Sequence, residues 1–348
     1  MPYRVFVGQV IERLRATYDS RAGHYDSASE FLDDLHPAGL AHLAFVRSPY
    51  AHARVLSVTP PRGAPGLLAV LTARELEGRT RPLPIQSPEG SEVADEPHPL
   101  LAAGEVRYVG QPVAAVVAES RALAEDAAEL VGVEYEELDP VADPHASDLE
   151  LLRWRRTAGD VEGAFRSAAR VAGGRYAMPR LVAAPMEARG ALAYHDPAAD
   201  LLTVWCSAQD THRPLRHLGH VLGRPAEQLR VVVPDVGGAF GSKGSLAPEA
   251  AVAAIAAIDV GRPVKWAEDR AENFVAAYQG RGMEAEVELA LAADGRMLAV
   301  RARILADLGA YLLPATAMPP HTAAMLMAGC YTIPAADVRV SGVRTNKV

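Results

Sequence analysis

Apolar residues along this chain fall in short alternating or continuous runs separated by Pro and Gly, a pattern that predicts strands interleaved with a few helices. In the front part the predicted strands are Leu40–Arg47, Ala53–Val58, Leu68–Thr72, Pro112–Glu119 and Val131–Glu136. Between the last two, Arg121–Leu130 carries Ala, Leu and Glu at helical density behind Ser120, whose hydroxyl suits an N-cap, so a strand–helix–strand unit closes this region. Arg81–Pro99 is rich in Pro, Glu and Ser without periodicity and reads as a long surface loop. Asp139–Gly159, with Pro140, Pro144 and alternating charges, has the composition of an interdomain linker, which places a boundary there.

Beyond it, Leu201–Ser207 reads as a strand, Arg213–Leu222 as a helix, Leu229–Val233 as a strand and Pro248–Ile258 as an Ala-rich helix. Met283–Leu291 alternates, meets Asp294-Gly295, and returns through Met297–Leu305, the signature of a β-hairpin. No self-similar period emerges, so no repeat architecture is expected. The 348 residues, at ~100–200 per domain, hold two or three domains. Both parts are expected to be α/β.

Charge narrows the function. The net charge of -8, with no basic cluster, argues against a nucleic-acid partner, which needs grouped Lys and Arg to displace counterions. Arg4, Glu12, Arg13 and Arg15 interrupt the first residues, so no secretory signal is expected, and no apolar run reaches the ~18 residues of a membrane span. A cytoplasmic location is the resulting expectation. Cys206 and Cys330 are the two cysteines; they cannot form a disulfide framework or supply the four thiolates of an iron–sulfur cluster. Any electron-transfer centre would sit on another chain.

The stretch Val231–Val233, then Pro234-Asp235-Val236-Gly237-Gly238-Ala239-Phe240-Gly241-Ser242-Lys243, runs from a buried-type strand into a glycine-rich turn and on towards a helix. Such glycines let backbone N–H groups approach an anion, so a phosphate-bearing cofactor would suit the loop; a plain tight turn would use the same residues. A dinucleotide fingerprint needs Gly where Ala239 stands, and a Walker loop needs Gly directly before Lys243, where Ser242 stands. His217 and His220 share a helix face near His212, but nothing supplies the converging set of a zinc site, and a solvated face is expected. Glu134, Glu136, Glu137 and Asp139 read as a solvent-facing strand edge.

The loop Gly237–Lys243 resembles the Gly-Gly-x-Phe-Gly-x-Lys segment of molybdenum hydroxylases, the xanthine dehydrogenase, aldehyde oxidase and carbon monoxide dehydrogenase group. Gly104-Glu105-Val106-Arg107-Tyr108-Val109-Gly110-Gln111-Pro112-Val113-Ala114 and Ala44–Ala53 resemble that family's hammerhead domain. Thr203–Gln209 is similar to the strand end whose Gln hydrogen-bonds an oxo ligand of molybdenum, and Gly261–Trp266, Asp269–Glu272 and Gly280-Arg281 follow in the family's order. The resemblance covers essentially the whole chain. It implies a hammerhead domain over residues 20–138 after an extension at 1–19, a linker at 139–160, and the first part of a mixed α/β molybdopterin-binding domain at 161–348.

Carried over residue by residue, the resemblance implies that Gln209, Gly238, Ala239, Phe240 and Gly241 bind the cofactor, with the Phe240 N–H binding and its ring filling the wall. A neutral amide near a metal oxo group can donate a hydrogen bond without adding charge. The implied cofactor is molybdopterin, in cytosine dinucleotide form, with molybdenum; iron–sulfur and FAD centres belong to partner subunits. The implied reaction oxidises an aldehyde, an N-heterocycle or carbon monoxide, with water as the oxygen source. Where purine-oxidising relatives carry a Glu after the loop Lys this chain has Gly244, which makes a purine substrate less expected. Cys330–Pro334 and Gly342–Val348 match the segment just ahead of the family's active-site loop, so that loop and the general-base Glu are expected beyond this chain, in a C-terminal half that could be a second polypeptide. The alternative is a non-catalytic, truncated paralogue serving as an interaction or assembly module, with an exposed apolar face.

Overall fold

The computed structural model describes residues 30–348 and contains three sheets; the extension at 1–19 and the start of the front domain at residue 20 lie outside the described residues. The front part contributes β1 (Ala41–Arg47), β2 (Ala53–Thr59), β3 (Leu67–Thr72), α1 (Ala73–Leu76), β4 (Ser91–Val93), β5 (Glu105–Val106), β6 (Pro112–Ala118), α2 (Arg121–Glu129) and β7 (Gly132–Glu137). There follow β8 (Glu150–Ala158), α3 (Val161–Ser167), β9 (Arg170–Val182), β10 (Gly190–Asp196), β11 (Leu201–Cys206), α4 (His212–Leu222) and β12 (Leu229–Val232). Last come α5 (Pro248–Val260), β13 (Val264–Ala267), α6 (Arg270–Ala276), β14 (Gln279–Leu291), β15 (Met297–Asp307), α7 (Met318–Met325) and β16 (Ala335–Val343). This is a mixed α/β fold, as expected.

The seven-stranded sheet, in the order β12-β11-β10-β13-β1-β6-β3, draws strands from both parts of the chain. They meet where β1 runs parallel to β13, with Ala41 opposite Val264 and His42 opposite Lys265. β6 is buried at every position, which explains its unbroken apolar sequence. α5 is buried from Pro248 to Ala257, and its many alanines let it lie close against the core that includes Leu43, Val117, Val204, Leu218 and Trp266. The six-stranded sheet runs β4-β8-β16-β15-β14-β9, and the small sheet β5-β2-β7.

The hairpin forms as read, β14 against β15, with Gly295 at φ +85° in its turn. The acidic run lies on β7, an edge strand, with Glu134, Glu136 and Glu137 exposed. Three expectations need correction. The stretch with linker composition contains β8, paired with β4 and β16; its charges, Arg153, Arg155 and Arg156, are exposed while Leu151, Leu152 and Trp154 are buried, so the mixed composition is that of a half-buried strand. Arg81–Pro99 is not all surface, because Leu83 and His98 are buried and β4 joins the second sheet. The strand–helix–strand unit is also split: β6 belongs to the large sheet and β7 to the small one, and α2 crosses between them.

Buried charges tie the front and rear parts together. Arg47, at the end of β1, donates through Nη2 to Glu249 at 2.9 Å, through Nε to Glu272 at 2.7 Å and through Nη1 to the Gly110 carbonyl at 2.9 Å. Arg189 donates to the same Glu249 oxygen at 3.3 Å and through Nε to Glu268 at 2.9 Å, while Asn273 donates to the other Glu268 oxygen at 2.6 Å. Burial alone would raise the Glu249 carboxyl, but Arg189 and Arg47 outweigh it and hold it at about 2.

Two predictions follow from these groups. Arg47→Met leaves Glu249 buried with one cation fewer and should lower stability by about 3–5 kcal/mol in urea denaturation, whereas a surface pair would contribute little. Burial also pushes His98 and His217 down to about 4, against ~6.5 in an unfolded chain. Between those values the unfolded state binds more protons, so stability is lost as pH falls from about 6.5 towards 4. The urea midpoint should therefore drop between about pH 7.5 and pH 5, where Glu249 remains ionised in both states or nearly so. His217→Leu should flatten part of that slope.

Candidate functional site

β11 and β12 are parallel, so their carboxyl ends open on the same edge of the sheet, where α/β sheets commonly place ligands. From the first end the chain continues through Ser207 and Ala208 to Gln209; from the second it enters the glycine loop. The two segments touch, since the Gln209 N–H donates to the Lys243 carbonyl at 3.0 Å. A Cβ placed on Gly244 would lie 3.8 Å from Gln209 Oε1. The five residues expected at the site thus share one exposed corner.

Within the loop, Gly238 has φ +94°, Phe240 +52° and Gly241 +97°. Glycine accepts such values freely, whereas at Phe240 they cost strain of order 1–3 kcal/mol. The loop closes on itself at few points: Ser242 donates to the Ala239 carbonyl through N–H at 3.0 Å and through Oγ at 2.8 Å, and the Gly244 N–H donates to the Gly241 carbonyl at 3.3 Å. The N–H groups of Gly238, Ala239, Phe240 and Gly241 have no acceptor among the described residues. Four consecutive amides without an acceptor among the described residues, on a backbone with positive φ at Gly238, Phe240 and Gly241, are a set of donors suited to anionic or carbonyl oxygens.

The Phe240 ring is 79% exposed beside the loop amides, at the surface of this corner and not packed into the core. Its left-handed backbone turns the ring outward, with only its edge near Gly238, where an added Cβ would meet it at 3.3 Å. His217 departs from expectation, because it is buried on α4 while His212 and His220 are exposed. Cys206, at the end of β11, is buried, and burial pushes its thiol up to about 12, which leaves it inert as a thiolate.

Sequence reading missed the group that holds the loop in place. Glu187, in the turn before β10, accepts through one oxygen from Ser207 Oγ at 2.7 Å, the Gly237 N–H at 2.9 Å and Lys243 Nζ at 2.8 Å. The Gly237 carbonyl in turn accepts the Glu187 N–H at 3.0 Å. An added Cβ on Gly237 would stand 2.6 Å from the Glu187 Cβ, so only glycine permits this approach. The Lys243 side chain is fully buried, and burial lowers its pKa, opposed by Glu187. A lone Glu between Met186 and Ala188 carries no spacing signal that could have announced this.

Glu187→Gln would strand the buried Lys243 cation. Loss of one partner of such a pair should lower stability by about 3–5 kcal/mol. Converting Lys243 to Met in the same chain should restore a large part, which a double-mutant cycle in urea would measure; independent, additive losses would count against the clamp.

A family model described as molybdopterin cofactor-binding domain matches residues 143–348, and one described as aldehyde oxidase and xanthine dehydrogenase, a/b hammerhead domain, matches residues 27–139. The nicotine 6-hydroxylase large subunit of Paenarthrobacter nicotinovorans is 38% identical, over 97% of this chain and 43% of its own length. The carbon monoxide dehydrogenase large chain of Hydrogenophaga pseudoflava is 33% identical, over 96% of this chain and 45% of its own. Among solved structures, quinoline 2-oxidoreductase from Pseudomonas putida 86 superposes with a TM-score of 0.85 at 34% identity, covering 95% of this chain and 44% of that one. The chain therefore spans less than half the length of these relatives.

Proposed function

Because the chain belongs to the molybdenum hydroxylase family of xanthine dehydrogenases, aldehyde oxidases and carbon monoxide dehydrogenases, we propose that it is the front, cofactor-binding part of a molybdenum-dependent oxidoreductase subunit. The observation that carries this reading is the row of free amides at Gly238, Ala239, Phe240 and Gly241 beside Gln209, on a loop pinned by Glu187. The donor set fits a molybdopterin, whose pterin and phosphate groups are rich in oxygen and nitrogen acceptors.

In this reading the loop amides hold the cofactor, in its cytosine dinucleotide form, and Gln209 donates a neutral amide hydrogen bond at its metal end. Bound there, the cofactor supplies Lewis acidity and the capacity for two-electron oxidation. The chain's own part is to bind and orient: it offers preorganised donors, and the exposed Phe240 ring flanks them. No carboxylate of this chain is assigned as general base; that role falls to a segment equivalent to the part of the relatives that the chain does not span. Iron–sulfur and FAD partner subunits would carry the electrons away, and the substrate is a small aldehyde or N-heterocycle, or carbon monoxide. Gly244 offers no side chain to orient a purine. A cytoplasmic assembly is part of this proposal. Among the described residues no helix is long and apolar enough to cross a membrane.

The test is to tag the protein in its native host and measure molybdenum per chain together with the masses of what co-purifies. Near-stoichiometric molybdenum, a large second segment or chain, and iron–sulfur and flavin partners are expected. A folded chain with neither metal nor such partners would overturn the reading and favour an assembly module.

A further inference from the structure

Arg213, in the first turn of α4, stands beside Gln209 in an arrangement that cofactor binding does not require. Asp210 Oδ1 accepts the N–H groups of His212 at 2.7 Å and Arg213 at 2.9 Å, and Asp210 Oδ2 accepts from Arg213 Nε at 2.7 Å. The guanidinium then reaches across to the loop, where Nη1 donates to the Gly244 carbonyl at 3.2 Å. Nη2 has no acceptor among the described residues, and the side chain is about half exposed, at 49%.

A plain surface pair would be complete with the Nε contact alone. Here the second contact fixes the plane of the guanidinium against the same bare backbone that Gln209 flanks. A Cβ on Gly244 would stand 3.3 Å from the Gly241 carbonyl oxygen, 3.8 Å from Arg213 Nη1 and 3.8 Å from Gln209 Oε1, so glycine at this position lets the guanidinium and the Gln209 amide close on the same piece of backbone. Asp210 occupies the helix start and the Nε side of the guanidinium, which leaves Nη2 for another acceptor. Lys243, the other cation close by, is buried against Glu187 and faces the interior.

We propose that Arg213 is a specificity-determining residue that reads an oxygen acceptor, a carboxylate or a ring carbonyl, on the small-molecule substrate; this rests on the function proposed above. A guanidinium fixed in plane offers its remaining N–H groups to such an oxygen with little ordering cost, and it is always charged. The substrate class is an aromatic or heteroaromatic compound bearing that oxygen near the carbon to be oxidised. Carbon monoxide would leave the group idle.

The test uses the assembly purified from the native host, with benzoate as the probe and phenol as the uncharged control, both read by calorimetry. Arg213→Gln should weaken benzoate binding by about tenfold or more while phenol binding, molybdenum content and the thermal midpoint stay put. Arg213→Lys should fall between, since it keeps the charge but loses the fork. Equal benzoate affinity in the wild type and Arg213→Gln, or no benzoate binding to the wild type, would overturn the assignment. A fall in molybdenum content in Arg213→Gln would also overturn it, placing the guanidinium on the cofactor. A preparation without molybdenum would count against the proposed function alone, because the benzoate comparison still reads Arg213.

Discussion

One oxygen of Glu187 organises the candidate site. It gathers donors from the end of β11 at Ser207, from the entry of the glycine loop at Gly237 and from its exit at Lys243. A loop with Phe240 in a strained left-handed conformation and four amides that find no acceptor among the described residues does not hold that shape by itself, since the strain and the unmade hydrogen bonds favour relaxation. The Glu187–Lys243 pair supplies the constraint from beneath, and burial of Lys243 makes the constraint stiff by excluding competing water. The loop amides are left without an acceptor among the described residues.

The site's footing extends across the whole molecule. Arg189, two residues beyond Glu187, enters the buried network with Glu268 and Glu249, and Arg47 brings the front part into it. Because β1 and β13 also share one sheet, the front and rear parts meet through backbone pairing and buried charge at once. A displacement of the front part would therefore be felt at α5 and at the turn that carries Glu187. The glycine loop and the junction between the parts are held by groups two residues apart in one turn, Glu187 for the loop and Arg189 for the junction.

Much of this was legible in the sequence. The hairpin, the Ala-rich α5, the capped α2 and the strands of the front part follow from periodicity and punctuation, because their patterns reflect one buried face or full burial. The glycine loop and Gln209 were found through resemblance to molybdenum hydroxylases, while spacing alone left a plain turn equally open. What sequence could not show was long-range. Lys243, Arg189 and Glu249 are buried charges and Glu187 a half-buried one, with ionic partners from 56 to 202 residues away, and a charged residue in a Pro- and Gly-bounded stretch looks like surface. β8 hid for the same reason, its three arginines giving a half-buried strand the composition of a linker. The outward turn of Phe240 depends on a backbone conformation that its side chain gives no hint of.

In the proposed function the cofactor's metal end lies at Gln209 and its pterin along Gly238–Gly241. Anomalous diffraction at the molybdenum absorption edge, from crystals of the assembly purified from its native host, addresses this most directly. One molybdenum peak per chain is expected beside the Gln209 side chain, with cofactor density against the loop amides. A peak elsewhere on the chain, in crystals that carry stoichiometric molybdenum, would contradict it.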